Sequence, residues 1–194
     1  DLLLSISESS KQEALEYLKF SDNNVVNIST ASDSQFKKIE LSENQKNEVL
    51  KKYHFNKEFF LFTGGIDHRK NIEGLIRSYA LLTKSIRSEH QLAIVCSISD
   101  DQRLILNSLT KSVGLNENEV IFTGYIPEDD LVSLYNLCKA FIFPSWHEGF
   151  GLPALEAMNC GAAVIASNRS SLPEVIGLDD ALFDSLDDNI MSKK

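Results

Sequence analysis

The chain has 194 residues with 28 acidic against 19 basic side chains, a formal net charge of -9. Such an acidic surface excludes nucleic acid as the main partner, because a phosphate backbone needs a basic face; an anionic ligand can bind only where charge is locally positive. A composition of 43% hydrophobic and 24% charged residues is that of a globular protein, with room for one domain plus part of another.

Cys96, Cys138 and Cys160 lack CxxC spacing and adjoin apolar segments, so they read as reduced thiols acting as small core residues. No apolar run approaches the roughly 20 residues of a membrane span. The opening "DLLLSISESS" lacks a basic start and a small-residue cleavage site. A cytoplasmic location is therefore expected, with at most peripheral association at the inner face of a membrane. The first residue is Asp rather than Met, as in a fragment.

In chain order, "DLLLSIS" reads as a strand, Ser10 with Glu13 as a capping box for a helix through Leu18, and "NVVNISTA" as another short strand. The polar stretch from Ser32 to Phe55 reads as a linker followed by a surface helix. Residues 1–50 are thus expected to be the tail of a neighbouring domain and a linker, and 51–194 a second domain.

From residue 59 apolar runs alternate with helical periodicity. Strands are predicted at 59–65, 91–99, 119–125, 140–146 and 162–168, with a final short strand in "ALFD". Helices are predicted over 71–86, over the segment before Gly114, from Pro127, and from Leu152 to Gly161. Strands apolar on both faces and alternating with helices define an α/β fold, a Rossmann-like doubly wound parallel sheet with helices on both faces. Ligands of such sheets bind beyond the carboxyl ends of the strands. Chemistry is therefore sought in "TGGIDHRKN", "TGYIPE", "PSWHEGFG" and "SNRSSLPE".

In the first, Gly64 and Gly65 permit a tight turn, and Arg69 and Lys70 precede a helix. Cations there oppose the helix dipole, which makes sense if an anion lies between them and the helix start; the alternative is a solvated basic turn. The spacing of a P-loop is absent. In "EGFGLPALE", Pro153 suits a first helical position, and the amides near Gly151, Leu152 and Ala154 are expected to be free donors at a helix start. Glu148 precedes this turn and Glu156 lies one helical turn in, so carboxylates flank a phosphate-sized site. A ligand with a central phosphate and hydroxyls at both ends fits, as a nucleotide sugar does; for Glu156 alone, a dipole-favoured acid is the plainer alternative.

"FPSWHEGFGLPALEAMNCGAAVIASNRSSLPEVIG" resembles the donor-binding signature of the family 4 retaining glycosyltransferases, whose GT-B fold faces two Rossmann-like domains. "FTGGIDHRKNIEGLIRSYALL" and "VIFTGYIPEDDLVSLYNLCKAFIFPS" resemble other parts of the same domain, in the form common among bacterial mannosyltransferases. The resemblance is strong over roughly residues 59 to 184 and weaker over 1 to 45. It implies that Glu148 holds donor-sugar hydroxyls and Glu156 the ribose. Arg69 and Lys70 would neutralise the diphosphate, while Gly64, Gly65, Ser145, His147, Gly149, Phe150, Gly151 and Leu152 line the donor site. It also implies front-face transfer of a hexosyl group, with retention, from a GDP- or UDP-linked sugar such as GDP-mannose to a saccharide or glycolipid acceptor. Neither cofactor nor metal is implied.

By the same resemblance, residues 1–50 would end the acceptor-side domain, and 51–194 would form the donor domain of a truncated GT-B half without its closing helices. Three departures stand out: Gly65 replaces an arginine of many members, Thr30-Ala31 replaces an Asn-Gly turn, and the chain ends soon after "LFDSLDD". His54, His68 and His90 read as surface residues and Trp146 as packing. Arg169 and Glu174 are minor candidates near the base and the ribose. The rival reading is a non-catalytic nucleotide-binding or protein-interaction module of the same fold, and a nucleotide-sugar epimerase is a third.

Overall fold

The computed structural model describes residues 1–194. Two parallel strands, β1 (Leu3–Ser5) and β2 (Val25–Asn27), pair beside helix α1 (Glu8–Glu16). Helix α2 (Glu43–Lys52) follows a connecting segment and opens with a capping box between Ser42 and Gln45. The sheet strands are β3 (Glu58–Thr63), β4 (His90–Val95), β5 (Val120–Phe122), β6 (Ala140–Phe143), β7 (Val164–Ser167) and β8 (Leu182–Phe183). All pairings are parallel, in the spatial order β5-β4-β3-β6-β7-β8. Between and after them run α3 (Ile72–Ala80), α4 (Lys84–Glu89), α5 (Asp100–Ser112), α6 (Glu128–Leu137), α7 (Leu152–Asn159), α8 (Leu172–Ile176) and α9 (Asp188–Met191).

Consecutive residues are buried along the central strands: Leu61 and Phe62 in β3, and Leu92, Ala93 and Ile94 in β4. Burial of both strand faces requires helices on both sides, the doubly wound arrangement expected. Aromatic rings fill the middle of the core, with Phe143 stacked against Phe141 at 5.6 Å and against Phe62 at 6.2 Å.

Three local expectations are corrected. Helix α1 is capped by Ser7, whose backbone is extended and whose side-chain oxygen accepts from the Ser10 amide at 2.9 Å, so Ser10 is the third residue of the helix and not its cap. The helix expected over 71–86 breaks at Leu81–Thr83, where Thr83 turns extended and starts α4 by accepting from the Ile86 amide. Strands expected to run to Gly65, Ser99, Tyr125 and Trp146 stop at Thr63, Val95, Phe122 and Phe143. The residues beyond them bend away as loops. No helix is long and apolar enough to cross a membrane.

Candidate donor site

Strand β3 enters the sheet first and stays in its middle; β4 and β5 add on one side, and β6, β7 and β8 on the other. The chain leaving β3 therefore turns one way and the chain leaving β6 the other. A crevice opens between their loops, the ordinary ligand position in this class of sheet.

In the first loop, the Gly64 amide donates to the Val95 carbonyl at 3.1 Å, and His68–Lys70 form a single 3₁₀ turn. Asn71 then adopts the left-handed conformation, with φ 55° and ψ 40°. Its buried side-chain amide donates to the Ser185 carbonyl at 2.9 Å and the Pro144 carbonyl at 3.4 Å, which locks the residue after Lys70 onto the β6 loop. Gly74 makes room for it, since a Cβ there would lie 2.3 Å from Asn71 Oδ1.

The second loop is held from several sides. The Trp146 amide donates to the Arg69 carbonyl at 2.8 Å, joining the loops directly. Ser170 Oγ accepts from the Glu148 amide at 2.8 Å, and Ser171 Oγ lies 3.0 Å from the Glu148 carbonyl and 2.7 Å from that of Phe150. Gly151 has φ +106°, and a Cβ on it would meet Leu172 Cδ2 at 2.6 Å, so only glycine fits this entry to α7. The Gly151 and Leu152 amides make no hydrogen bond within the protein, and Pro153 has none to give. The Ala154 amide, expected to be free, instead closes a turn on the Gly151 carbonyl at 3.0 Å.

Charge concentrates where the loops meet. Lys70 Nζ lies 2.6 Å from Glu148 Oε1, and their side chains are only 12% and 10% exposed. Lys70 Nζ also sits 5.6 Å from the centre of the Phe143 ring. A carboxylate so little exposed is costly to leave unpaired, and the lysine offsets that cost. One turn into α7, Glu156 Oε2 accepts from the Tyr135 hydroxyl at 3.1 Å. Burial raises the Glu156 pKa above the ordinary carboxylate value, and the Tyr135 hydrogen bond opposes that rise.

The structure therefore brings Lys70, Glu148, Gly64, Gly151, Leu152 and Glu156 to the strand ends around one crevice. Arg69 differs from its neighbour: it is more than half exposed and ion-paired with Asp67 at 2.6 Å. Gly65 beside it is exposed. Ser145 is fully buried and its hydroxyl meets no partner. His147 is exposed, with Nε2 3.3 Å from Glu13 of α1. The Gly149 carbonyl accepts from Ser10 at 3.0 Å, which packs α1 against the loop, and Phe150 is half-buried. Glu174 accepts from the Glu8 and Ser9 amides at 3.0 and 3.2 Å, and Arg169 lies 3.3 Å from Asp184. No three His, Cys, Asp or Glu side chains converge as metal ligands.

Asn71, Ser170, Ser171 and Tyr135 escape a reading of the sequence. Asn71 directly before a helix and the Ser-Ser pair in a strand-end loop are recognisable cap and loop residues. Nothing local marks Tyr135.

The sheet order and its covering helices are those of a Rossmann-like half of the GT-B kind. The chain belongs to the family described as glycosyl transferases group 1, whose model matches residues 43–191. It is 44% identical over 187 residues to the serotype-specific mannosyltransferase WbdA of Escherichia coli, covering 96% of this chain and 23% of that protein. It is 36% identical over 177 residues to the O-antigen chain mannosyltransferase B of Escherichia coli, covering 91% of this chain and 45% of that protein. The chain thus spans less than half the length of these curated relatives. Among solved structures, a glycosyltransferase from Rickettsia africae ESF-5 superposes with a TM-score of 0.85 at 20% identity, over all of this chain and 52% of that one. HepE of Anabaena, in complex with UDP and glucose, superposes with a TM-score of 0.84 at 20% identity, over 99% of this chain and 52% of that one. Both likenesses concern the fold.

Proposed function

We propose that this chain holds the donor of a hexosyltransferase, a nucleoside diphosphate sugar, and that the sugar is mannose. The observation that carries this reading is the buried Lys70–Glu148 pair beside the unpaired Gly151 and Leu152 amides, at the switch point of the sheet. A cation and free backbone donors suit a diphosphate, and a carboxylate suits sugar hydroxyls. Glu156, on the far side of the helix start, suits the ribose. That the relatives are named mannosyltransferases favours mannose, and their naming for O-antigen chains favours a saccharide acceptor of a surface polysaccharide.

In the proposed reaction the bond between the sugar's anomeric carbon and the diphosphate oxygen breaks while the acceptor hydroxyl oxygen bonds to that carbon from the same face. The hydroxyl proton passes to the departing phosphate, and configuration is retained. Negative charge grows on the leaving diphosphate, where Lys70 and the helix-start amides stand ready. Preorganised donors of this kind are worth about 3 kcal/mol each, roughly 100-fold in rate. Arg69 joins by exchanging Asp67 for phosphate.

Calorimetric titration of the protein with GDP, UDP and their mannose and glucose conjugates tests the reading. One-site binding of a single nucleotide series, weakened by Lys70→Ala and Glu156→Ala, supports it and identifies the base. Undiminished binding in both variants would place the nucleotide elsewhere.

A further inference from the structure

Tyr135 is fully buried in α6, outside both crevice loops, yet its hydroxyl reaches the Glu156 carboxylate. It lies 2.9 Å from Thr63 Oγ1 and 3.1 Å from Glu156 Oε2. An ionised carboxylate can only accept, and a phenol has one proton, so the direction of the chain is settled: Thr63 donates to Tyr135, and Tyr135 donates to Glu156. Thr63 is the last residue of β3 and directly precedes Gly64. The chain of hydroxyls thus ties the end of the central strand to the carboxylate on α7.

The ring cannot easily turn. Phe36 meets it edge to face at 5.9 Å and Phe141 at 5.5 Å, with interplanar angles of 71° and 72°. Phe36 comes from the segment connecting β2 to α2, so the ring is clamped between that segment and the sheet. Held by Oε2, Glu156 keeps one oxygen, Oε1, that meets no protein donor. A carboxylate with one oxygen anchored and one free presents a fixed acceptor to a pair of neighbouring hydroxyls.

We infer that Tyr135 is a positioning residue, which fixes the Glu156 carboxylate for the vicinal diol of a ribose through the Thr63–Tyr135–Glu156 chain. The inference deepens the donor-site reading and rests on it. Tyr135→Phe keeps the ring and its packing and removes only the donor. A purely structural tyrosine would, on losing its hydroxyl, weaken every ligand alike. A positioning tyrosine weakens only ligands that carry the diol.

The test is calorimetry of GDP and UDP against their 2′,3′-dideoxy counterparts, on the wild-type protein, Tyr135→Phe, Thr63→Val and Glu156→Gln. The wild type should prefer the ribonucleotide. Tyr135→Phe should lower ribonucleotide affinity about tenfold, the worth of one hydrogen bond to a charged group, and leave dideoxynucleotide affinity unchanged. Thr63→Val should do the same more weakly, and it reports independently should Tyr135→Phe fold poorly. Equal weakening of both nucleotide forms, or a preference untouched in Tyr135→Phe and Thr63→Val but lost in Glu156→Gln, overturns the inference and leaves the donor site standing. A preference untouched in Glu156→Gln, or no nucleotide binding at all, overturns the donor reading and this inference with it.

Discussion

Lys70 Nζ and Glu148 Oε1 stand 2.6 Å apart although 78 residues separate them in the chain. The pair closes the gap between the loops leaving β3 and β6, and it orders the crevice electrostatically. An anionic ligand group suits the lysine side, while Glu148 suits a group that is uncharged and donates hydrogen bonds. A sugar attached to a diphosphate meets both conditions.

Removing one member of the pair should cost more than removing both. Lys70→Met leaves a buried carboxylate without its cation and should lower stability by about 3 kcal/mol, whereas Lys70→Met with Glu148→Gln should regain most of that loss. Transfer should stay depressed about 100-fold in both variants, because the leaving diphosphate lacks its cation in each. Denaturant melts and a transfer assay with the cognate donor check this; a double variant as unstable as the single one would refute the coupling.

Glu156 supplies a pH dependence. Its pKa lies above the ordinary 4.5 because of burial, which the Tyr135 hydrogen bond opposes and the charge of Glu128 reinforces. The folded chain therefore holds this proton to higher pH than the unfolded chain. Ionising Glu156 costs stability as pH rises from the ordinary carboxylate range through the raised value. Nucleotide affinity follows the opposite sign, since only the carboxylate accepts from both hydroxyls. Affinity should fall on acidification with a limb above 4.5, shifted further up in Tyr135→Phe and absent in Glu156→Gln. Titrations across the acid range will show the limb or its absence.

Gly151→Ala should destabilise the protein by about 3 kcal/mol, combining a left-handed backbone with overpacking. The new Cβ would fall 2.6 Å from Leu172 Cδ2 at φ +106°. Gly149→Ala is the contrast: its Cβ would meet the end of the Ile6 side chain at 3.3 Å and Ser10 Oγ at an ordinary 4.0 Å, and the loss should stay under about 1 kcal/mol. Similar losses at the two positions would show that the α7 entry relaxes freely.

Glu174 caps α1 from α8, across 166 residues of sequence. Glu174→Ala should speed amide exchange at Glu8 and Ser9 about fivefold, the worth of one cap. Exchange in β3 and β4 should not change. Unaltered protection of α1 would mean that Ser7 alone suffices to cap it.

Far from the crevice, Arg87 and Glu119 form a second buried pair at 2.8 Å, and Glu119 also accepts from the Asn116 amide and side chain. Glu119→Ala should cost about 3 kcal/mol while leaving nucleotide affinity unchanged. A parallel loss of affinity would show that the two regions are coupled.

Some of this was legible without coordinates. Buried strands alternating with amphipathic helices announce a doubly wound parallel sheet, because apolar periodicity is local and each element carries its own record of which faces must be covered. The turn chemistry of "GFGLP" likewise announces a loop running into a helix start, since Gly151 and Pro153 act within a few residues of themselves. Even so, the Ser7 cap and the break at Thr83 turned on choices between neighbouring serines and threonines that differ little in local preference.

What the tertiary structure alone decided was partnership. Strand order placed β3 beside β6, and only that order brings Lys70 to Glu148. Tyr135 sits in α6 among apolar neighbours that would suit an ordinary core residue, until helix packing sets its hydroxyl between Thr63 and Glu156. Glu174, which its own loop would direct toward a ligand, was taken by the free amides of α1. Each of these pairings depends on which distant surfaces meet when both faces of the sheet are covered. A pattern of residues along the chain carries the need for a partner, while packing in three dimensions selects which one.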